Sequence, residues 1–209
     1  MKVLAIVASP KRKGNVSSIC NKIIEGAKQS GHNTEIINLY DYNIKYCTGC
    51  LSCTKNHRCS IEDDFTILFD KEKEADIVIY GTPIYCHDVP GILKNFIDRH
   101  AHAVIPHVEL ENIKGFFAKS KIALNYVKEF NQNGPFRNKK FIVVIACSNP
   151  NKGEKQIKQV LFVLKSFIQG EMKATIVKKV IYTDTLFKFK KKGFDKIMKS
   201  AYQIGVTLR

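Results

Sequence analysis

The 209-residue chain is long enough for one domain with a sizeable core, and its 44% hydrophobic and 25% charged residues are ordinary for a globular protein. The formal net charge is +15, from 34 Lys+Arg against 19 Asp+Glu; the lysines are dispersed, which fits a solvated basic surface better than a nucleic-acid stripe. No apolar run reaches the roughly 18–20 residues that span a bilayer, the apolar opening lacks a small-residue cleavage site, and seven cysteines in such a chain argue against a disulfide framework, so a cytoplasmic protein without a membrane partner is expected.

VLAIVA (3–8) is a continuous apolar run, as expected of a parallel strand buried on both faces. The turn SPKRKGN follows, then a helix over about 17–30 with apolar Ile19, Ile23, Ile24 and Ala27, closed by Gly31. TEIINL (34–39) reads as a second strand. Asp63 and Asp64 are suited to cap a helix that runs to about Glu74. ADIVIYGTP (75–83) is a third strand, and Pro90-Gly91 opens a helix over ILKNFIDRHAHAV. FIVVIACS (141–148) is a fourth strand, 153–169 an amphipathic helix, ATIVKKVIY (174–182) a fifth strand, and 193–208 a last helix. Five βα units in series describe an α/β domain over 1–209, an open parallel sheet with helices on both faces. A segment at about 105–139 is longer than an αβ connection needs and reads as an insertion.

In such sheets ligands bind beyond the carboxyl ends of the strands. The turn Ser9-Pro10-Lys11-Arg12-Lys13-Gly14-Asn15-Val16-Ser17 offers hydroxyls, an amide, cations and the N–H groups of a helix start, which suits a phosphate dianion. It is neither a P-loop nor a dinucleotide G-x-G-x-x-G. Thr82-Pro83-Ile84-Tyr85-Cys86-His87-Asp88-Val89-Pro90-Gly91 can lay its backbone along a flat ring and read the polar edge. Cys147-Ser148-Asn149-Pro150 stands after the fourth strand and can flank the same ring.

The densest signal is CTGCLSCTKNHRC, which places Cys47, Cys50, Cys53 and Cys59 in a loop at about 40–62. Zinc sites of four cysteines usually use two separated C-x2-C pairs; three cysteines at successive x2 spacing are closer to a ferredoxin run. A [4Fe–4S] cluster, zinc and unmetallated thiols all stay open from the residues alone. His57 reads as a loop residue. Asp98-Arg99 reads as a structural ion pair or subunit contact, and His100, His102 and His107 as surface or interface histidines.

Taken together, SPKRKGNVS and GTPIYCHDVPGILKNFIDR resemble the NADPH-dependent FMN reductase-like branch of the flavodoxin fold, and the cysteine run between them looks like that of its iron–sulfur flavoproteins. The resemblance implies a flavodoxin-like, doubly wound five-stranded sheet of order 2-1-3-4-5, FMN, and a [4Fe–4S] cluster on Cys47, Cys50, Cys53 and Cys59. It implies a phosphate site at Ser9, Lys11, Asn15, Val16 and Ser17, with Val16 where the family often has Thr. It implies that Pro83, Ile84, Tyr85, Cys86 and His87 line the isoalloxazine, Cys86-His87 replacing a frequent Trp-Gly. Cys147, in place of a frequent Gly, is expected to crowd the ring. The implied function is electron transfer between a one-electron carrier such as ferredoxin and an acceptor through FMN and the cluster, in a homo-oligomer, with no catalytic side chain. An NAD(P)H-dependent FMN or quinone reductase without a cluster is the first alternative, although no fingerprint assigns a nicotinamide. A polyanion-binding protein with a four-cysteine zinc site is the second.

Overall fold

In the computed structural model the described residues are 1–53, 58–104, 136–148, 153–183 and 191–209. Five strands, β1 (Lys2–Val7), β2 (Asn33–Asn38), β3 (Ile77–Pro83), β4 (Lys140–Cys147) and β5 (Thr175–Thr183), form one all-parallel sheet in the order β2-β1-β3-β4-β5. That is the expected flavodoxin-like order, and it puts the switch point between β1 and β3. The three inner strands are buried along nearly their whole length, because helices cover both faces, and this is why they read as unbroken apolar runs. The edge strands β2 and β5 are partly exposed.

Strand alternation divides the core. Leu4, Ile6 and Ala8 point to one layer, with Leu68, Phe96, Val160 and Leu164. Val3, Ala5 and Val7 point to the other, with Ile19, Ile23 and Ala201. Helices α1 (Asn15–Gln29) and α6 (Lys191–Val206) cover the second face; α2 (Phe65–Glu74), α3 (Gly91–Arg99) and α5 (Gly153–Lys165) cover the first. α1 and α6 approach at two glycines. A Cβ on Gly26 would stand 2.2 Å from the Tyr202 carbonyl oxygen, and one on Gly205 would stand 2.0 Å from that of Ile23.

Two elements differ from the expected ones. The helix expected over ILKNFIDRHAHAV ends at Arg99, and a four-residue turn, α4 (Ala101–Val104), follows. The helix expected over 153–169 holds its α form to Lys165 and continues as a π turn, Ser166–Glu171, whose widening is seen in the Met172 N–H bonding the Phe167 carbonyl at 2.9 Å. Most of the expected insertion, 105–135, lies outside the described residues, as do His57, His107 and Asn149-Pro150. At its described end, Phe136 is fully buried in the first core layer. Among the described residues no helix is long and apolar enough to cross a membrane.

Candidate functional site

β1 ends in the turn that starts α1. Its Gly14 is the N-cap and donates to the Lys11 carbonyl at 3.0 Å, closing the turn tightly. The first N–H groups of a helix have no intrahelical acceptor, so those of Asn15, Val16 and Ser17 are available beyond the end of β1. Ser9 is buried; its carbonyl accepts from Asn38 Nδ2 at 2.8 Å, which ties the turn to the end of β2. Ser17 is also buried, and its hydroxyl donates to the Lys11 carbonyl at 2.8 Å. Lys11 and Lys13 are exposed, whereas Arg12 pairs with Asp41 just after β2, Nη1 to Oδ2 at 2.5 Å. The Val16 side chain turns into the core between α1 and Gly81 of β3, so this residue offers the turn only its backbone.

β3 ends at Pro83, and Ile84 is still held by the Ala146 carbonyl of β4 at 3.2 Å. The chain then folds into a two-residue turn. Tyr85 N–H donates to the Asp88 carbonyl at 2.9 Å, and Asp88 N–H returns to Tyr85 at 3.0 Å. Its central residues, Cys86 (φ 46°) and His87 (φ 72°), are both left-handed, the pattern of a type I′ turn that usually takes Asn-Gly. Two non-glycine residues there cost about 1 kcal/mol or more each, and such strain collects at functional sites. Tyr85, Cys86 and His87 are exposed at the strand ends.

The turn also reaches the segment after β4. His87 Nδ1 lies 2.7 Å from Gln156 Nε2 on α5, and Gln156 Oε1 accepts from the Cys147 thiol at 3.5 Å. The Cys147 side chain is buried beside Gly153. Gln156 is missing from the sequence reading; its only signal was a place in the first turns of the helix that follows Cys147.

The cysteine loop leaves β2 through a short 3-10 turn, Leu39–Asp41. Cys47, Cys50, Cys53 and Cys59 all line one small cavity, of about 40 Å³, together with Arg99, Ala101 and His102. The donor set of four thiols around one cavity suits a thiolate-bound centre. As they stand, no three His, Cys, Asp or Glu side chains among the described residues are in ligating geometry. Hydrogen bonds, first from Ser52 and also from Ser60, lower the exposed Cys50 thiol to about 6. Burial pushes Cys53 up.

Arg99 organises this loop. Its guanidinium has no solvent exposure and makes a two-pronged pair with Asp63, Nη1–Oδ2 at 2.5 Å and Nη2–Oδ1 at 3.1 Å. It also donates to the carbonyls of Lys45 at 2.7 Å and Ile61 at 3.3 Å, one on each side of the cysteine run. Among the described residues its Nε–H has no hydrogen-bond partner. Burial opposes the charge of Arg99, but Asp63 and Cys59 overcome this and raise its pKa. The expected Asp98–Arg99 pair is therefore not formed: Asp98 faces out and pairs with Lys94 one turn back, while Arg99 points inward. Asp63 still serves α2, accepting from Phe65 N–H at 3.0 Å; Asp64 accepts from Asn43 N–H at 2.7 Å and makes no side-chain cap.

His100 and His102 are buried, not surface histidines. His100 Nδ1 faces the Phe96 carbonyl and Nε2 faces Glu72, both at 2.8 Å, while Tyr80 donates its hydroxyl to the other Glu72 oxygen. Burial, and then the Glu72 charge, push the Tyr80 phenol well up. Phe65, Phe69, Phe96 and Phe167 surround this polar knot, which lies between helices and sheet, apart from the strand-end loops.

A parallel sheet of order 2-1-3-4-5, with a tight basic turn and a strained aromatic-bearing loop on either side of its switch point, defines the flavodoxin-like class. Within that class, the chain belongs to the NADPH-dependent FMN reductase family, whose model matches residues 1–182. It is 44% identical over 112 residues to an iron-sulfur flavoprotein of Archaeoglobus fulgidus, covering 54% of this chain and 55% of that protein. It is 36% identical over 99 residues to an iron-sulfur flavoprotein of Methanocaldococcus jannaschii, covering 47% and 51%. The chain thus spans about half the length of the curated relatives it matches. In fold it is similar to an NAD(P)H:quinone oxidoreductase from Methanothermobacter marburgensis, with a TM-score of 0.69, 16% identity, and 99% and 94% of the two chains covered. An azoreductase from Bacillus anthracis gives a TM-score of 0.68 at 15% identity, with 100% of both chains covered.

Proposed function

We propose that this chain is an FMN-dependent oxidoreductase that also carries one [4Fe–4S] cluster on Cys47, Cys50, Cys53 and Cys59, and that it moves electrons between a one-electron carrier and an acceptor. The observation that carries this reading is that all four cysteines line one cavity in the loop after β2. Iron-sulfur flavoprotein relatives support it.

When bound, FMN supplies exchange of one or two electrons and the cluster relays them singly; the protein supplies position and electrostatics. Ser9, the N–H groups of Asn15, Val16 and Ser17, and the Asn15 amide hold the phosphate, with Lys11 and Lys13 balancing its charge. Ser17 contributes mainly by fixing the Lys11 carbonyl, and so the turn. Pro83, Ile84 and Tyr85 form one wall for the ring, and the left-handed Cys86-His87 backbone turns the loop across its edge. Arg99 holds both sides of the cysteine run, which brings the four thiols to one cavity before any metal enters.

The other reading is a reductase with the same flavin site and unmetallated thiols; the observation in its favour is that the cysteines do not stand in ligating geometry. The two readings separate on Cys50→Ala, isolated without oxygen. With a cluster, the variant keeps FMN and loses the iron that the wild type carries. Equal iron in both proteins rejects the ligand assignment, and iron in neither favours the second reading.

A further inference from the structure

We propose that Gln156 is a positioning residue for the flavin site: its amide fixes His87 as the Nε2–H tautomer and aims that N–H at the edge of the bound ring. This rests on the FMN reading above. Three groups from three parts of the sheet edge form one chain of hydrogen bonds. The Cys147 thiol, at the end of β4, donates to Gln156 Oε1 at 3.5 Å. Gln156 Nε2, on α5, lies 2.7 Å from His87 Nδ1 in the turn after β3. An amide has one accepting oxygen and one donating nitrogen. Once the thiol claims the oxygen, only the NH2 group faces His87, and it can only donate. Nδ1 must then be bare, so the neutral ring carries its proton on Nε2.

The backbone gives independent support. His87 and Cys86 hold positive φ values of 72° and 46°, costly for non-glycine residues. Two backbone bonds between Tyr85 and Asp88 lock that turn, and it is what brings the imidazole to α5. The link therefore ties the loop after β3 to the start of the helix after β4, the two segments that flank a ring bound at these strand ends. A fixed N–H donor there favours a ring whose polar edge gains negative charge on reduction. His87 exchanges no electrons in this scheme; it presents a hydrogen bond, and Gln156 decides which nitrogen presents it.

The test is the imidazole tautomer of His87, read from long-range proton–nitrogen couplings in 15N-labelled, FMN-free protein, with His87→Asn assigning the signal among the six histidines. Wild type should show protonated Nε2 and bare Nδ1. Gln156→Glu replaces the donor with an acceptor, so Nδ1 should become protonated. Gln156→Leu should give a mixture. Gln156 is half-buried on a surface helix, so both variants should fold. On reconstitution, Gln156→Leu should weaken FMN binding by no more than about tenfold, the worth of one neutral hydrogen bond, while lowering the midpoint potential of bound FMN. A wild-type His87 protonated at Nδ1, or a tautomer that Gln156→Glu does not change, overturns the proposal and leaves FMN binding untouched. A wild type that takes up no FMN overturns the flavin-site reading, and with it this role, whatever the tautomer.

Discussion

Asp63 and Arg99 are the residues on which the cysteine loop depends. Burial works against the Asp63 carboxylate, but the Arg99 guanidinium and the backbone N–H groups of Lys45 and Phe65 outweigh it and hold its pKa below the ordinary 3.8. The depressed value fixes the sign: the stabilisation is complete above the unfolded-state value and is lost as pH falls below about 4 through the lower folded value. Wild type should therefore keep the Lys45 and Phe65 amides protected from hydrogen exchange at neutral pH and lose that protection only in acid. Asp63→Asn, which keeps only one accepting oxygen, should expose at least one of them at neutral pH. Arg99→Leu should cost roughly 3–5 kcal/mol, as expected when one partner of a buried pair is removed, read as a lower denaturation midpoint. Unchanged exchange in Asp63→Asn would detach the pair from the loop. The pairing was illegible in the sequence because its members lie 36 positions apart and Asp98 stands beside Arg99. Successive helical residues point about 100° apart, so the neighbour in sequence was the wrong partner. His100 was misread for a related reason: its partner Glu72 lies on another helix, and a buried histidine looks exposed until that carboxylate is found.

At the scale of elements, periodicity was enough wherever burial is uniform. The runs VLAIVA, ADIVIYGTP and FIVVIACS became β1, β3 and β4 with ends shifted by no more than two residues. It failed where one contact decides. α3 stops at Arg99, where the guanidinium turns into the core, and nothing in the hydrophobic spacing marks that point. The close crossing of α1 and α6 was equally hidden, because a glycine within a helix signals nothing until the facing helix is known. Backbone atoms of the partner stand within 2.2 Å of where a Cβ on Gly26 or Gly205 would be, so neither helix can accept a methyl group without moving apart. Gly205→Ala should destabilise the fold by about 1–2 kcal/mol, the upper range of overpacking minus the gain in helix propensity. Equilibrium denaturation reads this, and FMN affinity should change little in the protein that remains folded. A variant as stable as wild type would mean that the two helices do not pack this closely in solution.

For the whole molecule, the strand order and the placement of three motifs along one edge of the sheet were legible from element order and resemblance, because a right-handed βα series leaves few topologies. The link from His87 through Gln156 to Cys147 was not, since it joins a turn, a helix and a strand end that are separate in sequence. The net charge of +15 has a consequence of its own. A basic surface attracts an acidic one-electron carrier, so raising ionic strength from about 0.01 to about 0.15 M should slow bimolecular reduction by such a carrier about tenfold, as screening shortens the reach of the field. A salt-independent rate would assign the lysines to solubility alone. The combined cofactor content is the most direct measure of the function proposed here. Protein isolated without oxygen should be brown and contain, per chain, one FMN with about four iron and about four sulfide, the content of one cubane cluster. Yellow protein with one FMN and no iron or sulfide would contradict it.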